Sequence, residues 1–192
     1  MNAIVLFFKN PRKGHVKARL GKEIGDDKAL GVYNQLLLNT LKITRSLKKK
    51  HNVYYYCDED ENVFDLDNFN VQEGDSLREH IKNAADKLLV DHDKVVLIPS
   101  DCFDLKPDDL EKAFDLLDKA DVVFGPATDG GIYLIGLKQE MDYLFENIPI
   151  NSEKVLHLMI DELLEKGMTY KLMETRIDVD TEDDLKHTDL NY

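Results

Sequence analysis

Apolar and polar positions along the chain follow two periods. Short, largely apolar runs at Ala3 to Phe8, Val53 to Cys57, Val95 to Ile98, Asp121 to Gly125 and Ile132 to Leu137 read as strands buried on both faces. Between them, apolar residues recur every three or four positions: Leu30, Tyr33, Leu37 and Leu41; then Leu77, Ile81, Ala84 and Leu88; then Leu110, Phe114 and Leu117; then Val155, Met159 and Leu163. Those segments read as helices. Pro107 suits a first helical position, Ser152 an N-cap, Thr181 another N-cap, and Gly167 a helix stop. Parallel neighbours need crossovers, so strands separated by helices predict a three-layer α/β/α sandwich around a mostly parallel sheet. The acidic stretch from Asp58 to Gly74 lacks a clear period and reads as a surface connection containing one short strand.

Composition narrows this picture. The 192 residues, 43% of them apolar, supply one core and leave little room for a second, so residues 1–192 are read as a single domain. No apolar run approaches the roughly 20 residues that cross a bilayer, and the opening apolar run lacks the preceding charge of a secretory signal, so a cytoplasmic protein is expected. Cys57 and Cys102 stand far apart, which favours two reduced, buried thiols over a disulfide framework or a zinc site.

The net charge of −13 and isoelectric point near 4.8 argue against nucleic-acid and anionic-membrane partners, both of which need a basic footprint. The charge is uneven. Residues 1–22 hold six Lys or Arg and no acid, while the rest carry 19 basic against 38 acidic residues, a balance of −19. An anion handled by the N-terminal segment would account for this asymmetry.

The basic segment follows the first strand as Lys9-Asn-Pro11-Arg-Lys-Gly14-His-Val-Lys17-Ala-Arg19. Pro11 and Gly14 turn the chain at the carboxyl end of a strand, where open α/β sheets place ligands. A phosphate about 4 Å from one of these cations gains about 1 kcal/mol in water and about 4 in a partly closed cleft. Gly14 would let backbone N–H groups approach the same oxygens. The spacing of neither a nucleoside-triphosphatase loop nor a dinucleotide-binding loop is present. Plain solubility charge is the competing explanation. For Lys48 to Lys50, at the end of an expected helix, complementing the helix dipole suffices.

Acids close other strands. Val95 to Ile98 runs into Pro99-Ser100-Asp101, and a carboxylate at a buried strand end needs a pair, hydrogen bonds or a cation. Asp178 and Asp180 lie two apart, so in extended chain both point to one side and one of them can join Asp101 on a metal. Asp178 is otherwise a surface acid. Mg2+ or Mn2+ suits such a site, taking one or two carboxylates plus substrate phosphates. Asp104, Asp108 and Asp109 read instead as helix N-terminal charge. Thr128, Asp129, Gly130 and Gly131 form a tight turn that also offers polar groups to an acceptor. His15, His80 and His157 read as ordinary histidines.

Taken in order, these motifs resemble small transferases of the GT-A, nucleotide-diphospho-sugar-transferase fold, the arsenosugar-biosynthesis or selenodomain-associated glycosyltransferase group. Phe8-Lys9-Asn-Pro11 with Gly14 and Val16-Lys17-Ala18-Arg19-Leu20 is similar to that group's opening motif, with Ala18 for Thr. Pro99-Ser100-Asp101-Cys102-Phe103, Asp121 to Leu137, and Asp178-Val-Asp180-Thr181 resemble its later ones. The resemblance implies a metal-dependent transferase acting on a nucleotide-activated sugar and a small-molecule acceptor. Lys9, Pro11, Gly14, Lys17, Arg19, Gln72, Gly74 and Ser100 would bind the nucleotide, and Asp101 with Asp180 the metal. Asp129, Gly130 and Gly131 would face the substrate; Lys17, Arg19 and Asp129 would be the catalytic set. Gln72 to Ile81 departs from the group's pattern at Arg78 and His80, and Ile150 stands where the group tends to carry Trp. Nucleotidyl transfer from a nucleoside triphosphate to a phosphorylated acceptor is the alternative, and a noncatalytic nucleotide-binding protein the third.

Overall fold

The computed structural model describes residues 1–146, 148 and 152–192. Seven strands form one sheet: β1 (Ala3–Phe8), β2 (Asn52–Cys57), β3 (Phe69–Val71), β4 (Val95–Ile98), β5 (Val122–Pro126), β6 (Ile132–Leu137) and β7 (Tyr170–Leu172), in the order β3-β2-β1-β4-β6-β5-β7. β1 pairs in parallel with both β2 and β4, β2 with β3, and β5 with β7. β6 alone runs antiparallel to its two neighbours, because the Asp129 turn folds it back on β5 as a hairpin.

All six residues of β1 are buried, and its alternation divides the core in two. Ile4, Leu6 and Phe8 face α2 (Asp26–Leu47) and α4 (Pro107–Leu117), meeting Leu37, Leu41, Leu110 and Phe114. Ala3, Val5 and Phe7 face the opposite layer, built from α3 (Leu77–Leu89), α5 (Tyr143–Glu146) and α6 (Val155–Glu165), and share a cluster with Ala84, Leu88, Phe145 and Met159. The expected three layers are present. α1 (Ala18–Ile24) and α7 (Glu182–Leu185) close a smaller cluster in which Leu20, Val32, Leu36, Val179 and Leu185 are buried together.

Local signals mostly act where they were expected. Pro107 opens α4, Thr181 caps α7 by accepting from Asp184 N–H, and Gly167 follows α6 at φ 70°. Ser152 does not cap α6. The helix starts at Val155 behind Lys154, and Ser152 Oγ accepts from Lys154 N–H in a two-residue turn one step earlier. β5 begins at Val122, since Asp121 is taken up by Thr169, whose N–H and Oγ donate to its carboxylate at 2.9 and 2.6 Å. That clasp seats β7, an edge strand with no apolar run to announce it. Cys57 and Cys102 are buried free thiols, and burial pushes Cys57 up to about 12. Among the described residues no helix is long and apolar enough to cross a membrane.

Candidate functional site

β1 is the strand at which the order of the sheet reverses, with β2 on one side and β4 on the other. Loops leaving the carboxyl ends of β1 and β4 therefore diverge and leave a crevice, the usual ligand position in open α/β sheets. The tail crosses it. Cys102 and Asp178 form an antiparallel bridge, with Phe103 N–H donating to Ile177 O and Val179 N–H to Asp101 O at 3.2 and 3.3 Å. Arg176 likewise bridges Ala127 at the end of β5. These few backbone contacts carry Asp178 and Asp180 to Asp101. With Val179 buried between them, the two carboxylates line the same cavity.

Lys17 stands at the centre. Its side chain is 3% exposed, and its ammonium reaches Asp101 Oδ2 at 2.8 Å and Asp180 Oδ1 at 2.9 Å. The residue is left-handed at φ 49° and ψ 48°, directly before α1, a conformation that costs of order 1 kcal/mol outside glycine. The ion pairs hold it there. Burial pulls the Lys17 pKa down, but Asp101, Asp180 and Asp178 outweigh it and leave the group more firmly protonated than a free lysine. Burial acts on Asp180 in the upward direction, and Lys17 and Arg19 hold it below the ordinary carboxylate value. Arg19 Nη1 stands 3.8 Å from Asp180 Oδ2.

Asp178 is different. Its Oδ1 is buried with no hydrogen-bond partner. Burial, then the nearby Asp101, raises its pKa from 3.8 to about 7, with Lys17 opposing and Asp180 and Asp129 adding to the rise. The folded chain thus binds this proton more tightly than the unfolded chain does. The resulting penalty is absent below about pH 4, grows as pH rises to about 7, and is complete above that. In metal-free buffer Asp178→Asn should therefore raise the unfolding free energy at pH 8 by a few kcal/mol and change it little at pH 4. Urea titrations at the two pH values check this; an equal effect at both contradicts it.

Two adjoining cavities meet here. A smaller one of about 360 Å3 is lined by Lys9, His15, Lys17, Arg19, Tyr33, Gln72 and Ser100, among others. Tyr33 OH donates to Lys9 O and accepts from Lys9 N–H, both at 2.8 Å, and Ser100 Oγ donates to Asp101 Oδ1 at 3.0 Å. Gln72 pins the loop from below by donating to Phe8 O and Tyr56 O. A larger cavity of about 510 Å3 is lined by Asp129, Gly131 and Glu153 and by apolar residues of the sheet and of α3 and α6. Arg19, Asp101 and Asp180 line both. Gly131 N–H donates to Asp129 Oδ1 at 2.8 Å, and Gly130 sits at φ 86° where a Cβ would meet Glu153 O at 2.1 Å, so position 130 admits no side chain.

Not every expected residue lines these cavities. Pro11, Gly14, Gly74 and Gly130 line neither cavity. Arg12 pairs with Glu59 and Glu61, and Lys13 with Asp27 at 2.7 Å, so these two cations go to surface acids. For Arg12 the Asp58 to Gly74 connection is the cause, since Asn10 N–H also donates to Asp58 Oδ1 at 2.8 Å, whereas Lys13 is taken by the first turn of α2. Asp104 precedes α4 rather than complementing it. With Asp109, which also accepts from Lys106 N–H, it pairs the buried Arg176. His80 Nε2 contacts Gly74 O at 2.9 Å, and Arg78 donates to Glu146 O. Ile150 lies outside the described residues. Tyr33 and Glu153 were not singled out from the sequence; the helical period assigned Tyr33 to the core alone.

The donors around Lys17 are oxygens only, and the unpartnered Asp178 Oδ1 leaves the cluster with capacity for a further cation. Among the described residues no three His, Cys, Asp or Glu side chains converge as a self-sufficient metal cage. A hard divalent ion that completes its shell with water and substrate oxygens fits this donor set.

Residues 55–152 match the profile of a family described as uncharacterized proteins conserved in bacteria, DUF2064. No protein of curated function matches the sequence. The chain superposes on the crystal structure of a candidate nucleotide-diphospho-sugar transferase from Desulfovibrio desulfuricans G20 with TM-score 0.87 and 29% identity, covering 95% of this chain and 84% of that one. CMP:2-keto-3-deoxy-manno-octonic acid synthetase complexed with CTP is similar at TM-score 0.61 and 10% identity, over 97% and 96% of the two chains. Rv0371c of Mycobacterium tuberculosis H37Rv, in complex with manganese, is similar at TM-score 0.52 and 13% identity, over 97% and 96%. At such identities the last two share the fold alone.

Proposed function

We propose that this chain, which belongs to the DUF2064 family, is a nucleotide-utilising transferase whose donor diphosphate lies at the junction of the two cavities, beside Lys17 and Arg19. The observation that carries the reading is the buried Lys17 ammonium shared by Asp101 and Asp180 at the switch point of the sheet, with the exposed Arg19 guanidinium facing both cavities. The 29%-identical Desulfovibrio protein, a candidate nucleotide-diphospho-sugar transferase, supports the same class.

The donor is a nucleotide-activated sugar. Its nucleoside occupies the smaller cavity, where Lys9, Gln72 and Ser100 stand, and its sugar points into the larger one. An acceptor oxygen there attacks the anomeric carbon as the bond to the diphosphate breaks, and the leaving oxygen keeps the electron pair. Lys17 and Arg19 stabilise the charge that develops on it. Asp129, held by Gly131 N–H, receives the acceptor's proton. Asp101 and Asp180 would hold Mg2+ or Mn2+, with Asp178 behind them; when bound, that ion supplies charge neutralisation at the diphosphate.

Thermal-shift measurements with nucleotide sugars and nucleoside triphosphates, each with and without Mg2+, test the reading, since a ligand at 100 times its dissociation constant adds about 2.7 kcal/mol. Nucleotide sugars should stabilise the wild type in a metal-dependent way, and Asp101→Ala should abolish the shift. A shift with triphosphates alone would assign nucleotidyl transfer instead, and an unchanged shift in Asp101→Ala would remove the metal assignment.

A further inference from the structure

The larger cavity has two sides of different chemistry. Its floor is apolar: Phe7, Ile81, Leu134, Ile135, Val155 and Met159 come from β1, β6, α3 and α6, and most of them belong to the buried core on that face of the sheet. Leu77 extends this surface to the mouth, where it is 44% exposed. Its rim is acidic, formed by Asp101, Asp129, Asp178, Asp180 and Glu153. Among the described lining residues Arg19 is the single cation, and it already stands by Asp180. Lys17, the other nearby cation, lines the smaller cavity, and its ammonium is divided between Asp101 and Asp180.

An anion entering the larger cavity beyond the Lys17 cluster would face Asp129 and Glu153 with Arg19, already beside Asp180, as the one cation among the described lining residues, and apolar surface beneath it that cannot solvate charge. A cation or a neutral polar end would meet acceptors, and a hydrocarbon body would cover the floor. We infer that the larger cavity selects an acceptor with an aliphatic body and a hydroxyl or amine end, and rejects phosphorylated acceptors. This rests on the transferase reading and deepens it, because a transferase that joins a nucleotide to a phosphate ester would need the opposite lining.

The test uses the full chain carrying 13C-methyl methionine, with the Met159 resonance assigned through Met159→Leu. Met159 lines the cavity and is 1% exposed, so its methyl reports occupancy of the floor. The probes are hexane-1,6-diol, 6-aminohexan-1-ol and 6-hydroxyhexyl phosphate, which share one chain and differ in charge. The first two should shift Met159, the amine at least about threefold more tightly at low ionic strength, and the phosphate ester should bind at least about tenfold more weakly than the diol. Glu153→Gln should narrow the amine's advantage over the diol. Equal or tighter binding of the phosphate ester at Met159, or no response of Met159 to any probe, would overturn the assignment. Nucleotide binding followed separately by calorimetry keeps the two readings apart. The predicted probe order without nucleotide binding would fault the transferase reading alone, and nucleotide binding with the reverse order would fault the acceptor class alone.

Discussion

Lys17→Met should unfold about 3–5 kcal/mol more easily than the wild type at pH 8, the cost expected when one member of a buried ion pair is removed. Methionine keeps the aliphatic stem and packing of lysine, so the loss isolates the charge. What remains is Asp101, Asp178 and Asp180 lining one crevice with Arg19 as the nearest cation. The defect should shrink as pH falls to 5, because Asp178, already raised to about 7, takes up a proton and weakens the repulsion. Millimolar Mg2+ should recover part of the lost stability by neutralising the uncompensated carboxylates, while the wild type, whose carboxylates are already paired with Lys17, responds less. Turnover should fall at least about 100-fold with or without Mg2+, since a divalent ion at the carboxylates does not replace the ammonium to which the proposed mechanism gives the charge on the leaving oxygen. Chemical denaturation across pH and metal concentration reads the first effects. A loss that is independent of both would contradict the electrostatic account and leave only a packing role.

Arg176→Leu should cost a similar 3–5 kcal/mol, by a different route. The guanidinium is 9% exposed and reaches Asp104 Oδ2 and Asp109 Oδ1, both at 2.7 Å. Burial opposes its charge, and Asp109 with Asp104 more than restores it. Its backbone ties the tail to β5, donating to Pro126 O and accepting from Thr128 N–H at 3.0 Å. The tail that carries Asp178 and Asp180 therefore hangs on this residue. Against a typical domain stability of about 5–15 kcal/mol, such a loss leaves little margin. Urea unfolding measures it. The triple replacement of Arg176 by Leu with Asp104 and Asp109 by Asn should recover part of the loss, because no uncompensated charge then remains. A single-variant loss under about 1 kcal/mol would show that the cluster does not anchor the tail.

Lys17 and Arg176 also mark where reading the sequence reached its limit. Strands buried on both faces appear as short apolar runs, so β1, β4, β5 and β6 were legible nearly to their ends, as were the helices with a regular apolar stripe. β7 was not, because three residues of a partly exposed edge strand carry no period. The basic segment was legible as a cluster but not in its division. Arg12 and Lys13 are drawn to Glu59 and Asp27 on the surface, while Lys17 alone is buried against acids as far as 163 positions away. Arg176 gave no signal, since its partners lie 72 and 67 positions away and read as helix N-terminal charge. Ser152 had the right residue type for a cap, but the chain makes one more turn before α6 begins. Spacing shows which residues share a strand or helix face; which charge meets which is decided by the crossing of the tail.

The most direct test is a crystal of the full chain soaked with a nucleotide sugar and Mn2+, with the manganese located by its anomalous signal. The account predicts a manganese peak at the Asp101 carboxylate, the diphosphate beside Arg19 and Lys17, the nucleoside in the smaller cavity and the sugar directed toward Asp129. Manganese and diphosphate bound away from Asp101 and Lys17, or a nucleoside seated in the larger cavity, would contradict it.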